Sequence, residues 1–313
     1  MRWATYRGPA DSAERVGLVH NGSVYGLAEP RRLLDLLGDD GERLSTARQR
    51  ALTDPVEIVP LTEARLRAPV PVPPSVRDFM AFEAHIANAM KATGATVDPD
   101  WYELPVFYFS NPAGVIGPDE VVPISPGSQA FDYELEVAAV VGLGGSDLSP
   151  DRAEHHIAGY TILCDWSARD LQLREMRQRL GPAKGKDGAT SVGPVLVTPD
   201  ELAPFRAGNA FCLRMTATVN DALYSDGNLA EIYWPFADLL AYASRGTRLV
   251  PGDVFGSGTV GTGCILELAA LHGAQRYPWL RPGDTVRLAV AQLGEIVGRV
   301  VPGREVPPLS RAR

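Results

Sequence analysis

Short apolar runs separated by Gly- and Pro-rich turns dominate the chain, and alternation within them predicts strands in preference to long helices. Residues 17–27 read as a hairpin whose turn, Asn21-Gly22, supplies the positive φ that tight hairpins need. Pro30 opens a short helix through Leu34 and Leu37, and a second helix is expected over about 42–52. The run 68–74 then places four prolines within six residues, a stiff extended connector. The expected organisation is a small N-terminal α+β domain (1–67), a proline-rich linker (68–75) and a larger domain (76–313). In the larger part, 79–90 reads as a helix, and strands are expected at 106–109, 132–141, 159–164, 195–198, 211–219, 263–268 and 285–293. Residues 167–180 and 236–244 read as helices. No period of about 20–50 residues repeats, which excludes solenoids and propellers. The pattern predicts a strand-rich α+β fold, a mixed-sheet barrel or sandwich.

Composition narrows the class. With 313 residues and 45% hydrophobic content the chain can bury a large core. A formal net charge of −8 leaves no basic footprint for nucleic acid or an anionic membrane. No apolar stretch approaches the roughly 18 residues of a membrane span, and the first residues lack the apolar core of a signal peptide. A cytoplasmic protein acting on a small molecule is expected. Three scattered cysteines (Cys164, Cys212, Cys264) suit buried reduced thiols better than a disulfide framework or a zinc cluster.

The candidate chemistry starts in the run Phe131-Asp132-Tyr133-Glu134-Leu135-Glu136-Val137. On a strand, Glu134 and Glu136 share a face. Such a pair is either the solvated face of an edge strand or a carboxylate pair around a cation, because like charges in apolar surroundings repel and desolvate each other. Asp165 ends a second apolar strand and favours the cation; oxygen ligands select Mg²⁺, Mn²⁺ or Ca²⁺ over zinc. His85, one of five histidines, follows the proline connector. It reads either as a packed histidine or as an acid–base residue on a movable segment, about 78–102, that forms a pocket wall with 229–235. Two glycine runs fail as nucleotide motifs. In Gly256-Ser257-Gly258-Thr259-Val260-Gly261 the prolines Pro278 and Pro282 leave little room for a crossover helix, and Gly181–Asp187 lacks P-loop spacing.

Asp132-Tyr133-Glu134-Leu135-Glu136 and Asp165-Trp166-Ser167-Ala168-Arg169-Asp170-Leu171-Gln172 together resemble the fumarylacetoacetate hydrolase family. Leu180-Gly181-Pro182-Ala183-Lys184-Gly185-Lys186, Gly256-Ser257-Gly258-Thr259 and Leu266-Glu267-Leu268 agree in order and spacing, so the resemblance runs over about 76–301. It implies a mixed β-sandwich roll that forms homodimers, with a divalent metal held by Glu134, Glu136 and Asp165. Asp78, seven residues before His85, is a fourth candidate ligand by the same resemblance. It pairs His85 with Glu267 as the water-activating dyad, while other branches use a nearby lid carboxylate, which here would be Glu83. Tyr108, Arg169, Gln172, Lys186 and Thr259 would line the substrate site. The implied activity is hydrolysis of a carbon–carbon bond in a 1,3-dicarbonyl or 2-oxo acid. Decarboxylation, hydration or isomerisation at the same site, and binding without turnover, are the alternatives.

Overall fold

The computed structural model describes residues 1–9, 13–92 and 94–310, with Ala92 by its backbone alone. Thr93 of the expected 78–102 segment and the last three residues of the 76–313 domain lie outside the described residues. A mixed twelve-stranded sheet forms the larger layer. Its main path runs Glu57–Pro60, Ser23–Gly26, Glu14–His20, Arg2–Arg7, Thr190–Val197, Ile157–Asp165, Leu135–Val141, Val254–Gly256, Val76–Phe79, Phe107–Ser110. A five-stranded sheet (Ala222–Asn228, Arg214–Val219, Thr285–Val290, Gly294–Val301, Val121–Pro123) packs against it, and one apolar core takes residues from both, including Val137, Ile162, Ala217 and Leu288. The strand-rich α+β sandwich expected from the sequence is therefore the observed fold. Most pairs are antiparallel; Val254–Gly256 with Val76–Phe79 is parallel.

Two-residue periodicity decides what each face carries. In Leu135–Val141, Val137, Ala139 and Val141 face the core shared with the five-stranded sheet. Ala138 and Val140 face a second core with Trp3, Leu18, Leu36, Leu44, Val76 and Leu163. Stepping back by twos from Ala138 gives Glu136 and Glu134; stepping forward from Leu163 gives Asp165, and from Val76 gives Asp78. One face of the sheet is thus apolar at one end and acidic at the other.

The N-terminal segment sits on that face. The hairpin forms as its sequence predicts, with Asn21 at φ 48° and Gly22 at φ 76°, and the helix Glu42–Thr53 lays Leu44, Ala47 and Ala51 into the second core. Arg2–Arg7 pairs directly with Thr190–Val197, Trp3 opposite Leu196. The 68–75 connector is no free spacer: Ala68 and Val70 are buried in the same core, and Thr5 Oγ1 donates to the Pro69 carbonyl at 2.7 Å. Two local expectations give way. The 79–90 helix begins at Glu83, because Val76–Phe79 is drawn into the sheet. Residues 263–268, expected as a strand, enter the helix Ile265–His272. Among the described residues no helix is long and apolar enough to cross a membrane.

Because the sheet and second core are shared, Trp3→Ala should destabilise the whole protein by about 3–5 kcal/mol. Urea unfolding followed by far-UV circular dichroism should show one shifted transition. A separate early transition would mean that 1–67 unfolds alone.

Candidate metal and acid–base site

The sheet delivers the carboxylates. Asp78 comes from Val76–Phe79, Glu136 from Leu135–Val141 and Asp165 from the end of Ile157–Asp165; Glu134 stands just before its strand. Their cross-strand neighbour Gly256 is a glycine for a steric reason. A Cβ there would lie 2.5 Å from Asp78 Oδ1 and 2.8 Å from Glu136 Oε2. Gly258, at φ 77°, donates its N–H to Glu136 Oε2 at 3.0 Å. The glycine run that mimics a dinucleotide motif thus serves carboxylates. A helix does follow it, contrary to expectation, but only at Ile265–His272. Glu136 and Asp78 beside the loop would repel a phosphate.

Two buried cations face this acid cluster. Lys186 Nζ donates to Asp165 Oδ2 at 2.5 Å and also contacts Glu134 Oε2. Arg169 Nη1 lies 2.8 Å from Glu134 Oε1, while its Nε donates to Asp132 Oδ2 at 2.8 Å. Tyr108 donates to Asp78 Oδ2 at 3.2 Å and contacts Asp165. The consequences differ between the acids. Burial opposes ionisation of Glu134, but Lys186 and Arg169 hold its carboxyl below the usual range. Burial, then Asp78 and Glu134, push Glu136 well above it. Burial also raises Asp165, against the pull of Lys186, and raises Asp78.

Asp78, Glu134 and Asp165 each bring an oxygen within 4.8 Å of the others. Asp78 Oδ1, Glu136 Oε1 and Asp165 Oδ1 are buried and lack a hydrogen-bond partner. Such orphaned carboxyl oxygens are costly unless a proton or a cation meets them. Among the described residues, five buried carboxyl groups, counting Asp132, stand against the two buried cations Arg169 and Lys186, so they cannot all ionise without a further cation. The donor set fits a hard divalent cation held by Asp78, Glu134 and Asp165, with Glu136 supplying a further buried, unpartnered oxygen. Glu134 is engaged on both oxygens by Arg169 and Lys186.

His85 enters from the helix Glu83–Ala92, and its Nδ1 lies 2.7 Å from Glu267 Oε1. The other Glu267 oxygen accepts from Asn88 Nδ2 at 2.8 Å and from the Thr262 N–H at 2.9 Å. Glu83 is not in this cluster. Two helical steps rotate a side chain by about 200°, so Glu83 points outward, exposed, and accepts from the Tyr102 hydroxyl at 2.7 Å. A cavity of about 420 Å³ joins the parts, lined by Asp78, His85, Tyr108, Glu134, Arg169, Gln172, Lys186 and Thr259. Its other wall comes from 86–90, 106 and 173–176, and residues 229–235 do not line it. Cys164 and Cys264 are buried, whereas Cys212 is exposed, against expectation.

Sequence reasoning passed over Asp132 and Asn88. Asp132 grips Arg169 and accepts from the N–H groups of Ile265 (2.7 Å) and Leu266 (3.1 Å), so it fixes the start of the helix that carries Glu267. Its alternation with Glu134 and Glu136 was a usable signal. Asn88, three residues after His85 and so on the same helical face, was another.

The raised carboxyls make a pH-dependent prediction. Protonation of Asp78, Glu136 and Asp165 stabilises the metal-free fold below the ordinary carboxylate range, and that stability is lost as pH rises through their raised values. Divalent cations bind the ionised forms. The gap in Tm between Mn²⁺-saturated and chelator-treated protein should therefore widen from about pH 5 to about pH 8. An equal gap at both ends would remove these three carboxylates from the ligand set.

Comparison with known proteins agrees with this geometry. Residues 75–301 match the fumarylacetoacetate (FAA) hydrolase C-terminal family. The chain is 28% identical to the mitochondrial oxaloacetate tautomerase FAHD2A of Homo sapiens, over 96% of this chain and 92% of that protein. It is 31% identical to a fumarylacetoacetase of Oryza sativa subsp. japonica, over 76% of this chain and 68% of that one. Its fold resembles that of maleylpyruvate hydrolase from Sphingobium sp. SYK-6, solved with manganese(II) and pyruvate. The TM-score is 0.72, with 23% identity, covering 97% of this chain and all of that one. These relatives are enzymes of differing reaction type. The chain belongs to the fumarylacetoacetate hydrolase family.

Proposed function

We propose that the protein is a divalent-metal-dependent hydrolase that cleaves a carbon–carbon bond in an acylpyruvate-like acid. The observation that carries this reading is the His85–Glu267 pair, at 2.7 Å, opening through His85 into the same cavity as the carboxylates of Asp78 and Glu134. A cation bound by Asp78, Glu134, Glu136 and Asp165 would supply positive charge for two neighbouring substrate oxygens. With Nδ1 committed to Glu267, the His85 Nε2 is the nitrogen left to take a proton from water. Glu267 stabilises the imidazolium that forms, and Asn88 and Thr262 hold Glu267 in place. The hydroxide adds to the acyl carbonyl. The carbon–carbon bond then breaks to a carboxylic acid and an enolate, which regains a proton from His85 and leaves as the 2-oxo acid. Lys186 brings the cationic charge that offsets the enolate. Gln172 and Thr259 offer neutral hydrogen-bonding groups at the cavity wall. Arg169 lines the same cavity and is held by Asp132 and Glu134, so one part it plays is to fix Glu134 in place.

A second reading is keto–enol or isomerase chemistry, supported by likeness to the oxaloacetate tautomerase across nearly the whole chain. The same dyad would move a proton without water being consumed. Acylpyruvate turnover in ¹⁸O-water separates the two: hydrolysis places label in the carboxylic acid product, and isomerisation places none there. His85→Ala and Glu267→Gln should each lower kcat by about 10²–10⁴. Glu83→Gln should stay within about twofold of the parent. A fully active His85→Ala variant would remove the dyad from the mechanism.

A further inference from the structure

The cavity is chemically divided. Its charged groups gather at one end, where Arg169 is held by Asp132 and Glu134, Lys186 by Glu134 and Asp165, and His85 by Glu267. Among the described lining residues there is no further cation. The opposite wall is apolar, built by Ile86, Ala89, Met90, Val106, Leu173 and Met176. Its volume, about 420 Å³, exceeds what a pyruvate-sized head fills and lies in the range of about 300–1,000 Å³ typical of larger ligands. Met80, Met90 and Met176, three of the five methionines in the chain, line it, and thioether side chains adapt to apolar shapes of varied length.

We propose that the substrate is a 2-oxo or 1,3-dicarbonyl acid whose far end is a hydrocarbon tail, and that the site discriminates against acids with a second carboxylate at that end. At this wall Val106, Leu173 and Met176 are partly exposed and Ile86 is buried. A carboxylate there would give up part of its hydration and find no unpaired cation among the described lining residues, whereas an alkyl chain gains from burial. The inference rests on the proposed reading only for the head-group end, where the oxo acid meets the carboxylates and the dyad.

N-alkyl oxamates, 2-oxo acid mimics with tails from methyl to hexyl, test it in calorimetric titrations of Mg²⁺-loaded protein beside an N-carboxyalkyl oxamate of hexyl length. Affinity should rise roughly two- to fourfold per added methylene, and the carboxyalkyl compound should bind at least about tenfold more weakly than the hexyl one. Flat affinity, preference for the carboxylate, or no oxamate binding would overturn the inference. Met176→Lys, on the half-exposed rim, should lower hexyl affinity and raise carboxyalkyl affinity; an unchanged ranking would also overturn it. Acylpyruvates with the same tails are assayed in parallel. Tail-dependent binding without turnover of any of them would sink the hydrolase reading and leave the tail assignment standing.

Discussion

A surplus of buried carboxyl groups over buried cations at one end of the large sheet is the constraint on which the site depends. Asp78, Glu136 and Asp165 share strands with the apolar core positions Val76, Ala138 and Leu163, and Asp132 and Glu134 stand just before Leu135–Val141. Burying so many carboxylates is tolerable only where cations meet them. Lys186 and Arg169 meet Glu134, Asp165 and Asp132, and they depress Glu134 while leaving Glu136 and Asp78 raised. The remaining imbalance is what gives the place an appetite for a divalent cation.

Much of the surrounding architecture follows from holding that imbalance in position. Gly256 and Gly258 let the backbone approach carboxylates closely, and Asp132 ties Arg169 to the helix that presents Glu267. The N-terminal strands and helix cover the apolar end of the same sheet face, while the cavity opens at the acidic end. Stability and chemistry share a surface: one face is packed where its residues are Ala, Val and Leu, and reactive where they are Glu and Asp.

The sequence made part of this legible. Alternation put Glu134 and Glu136 on one face, the terminal placement of Asp165 marked a strand end, and Asn21-Gly22 fixed a hairpin. Local pattern misled where a distant partner decides. Residues 263–268 are a short apolar run that reads as a strand, yet Asp132, far away in sequence, accepts two amides at the start of Ile265–His272, where the segment turns helical. Sequence spacing likewise left Glu83 and Glu267 both open as partners of His85, since spacing along a chain does not say which carboxylate crosses from another element.

By itself the sequence determined the strand-rich class, the acidic clustering and the family, because two-residue periodicity and short motifs are local properties. Tertiary structure alone decided that the first 67 residues extend the central sheet, that Asp78 joins the cluster and that His85 meets Glu267. It also decided that Arg169 is held by neighbouring acids. Each of these depends on which strands and helices pack side by side, and on where buried charge finds its counter-charge.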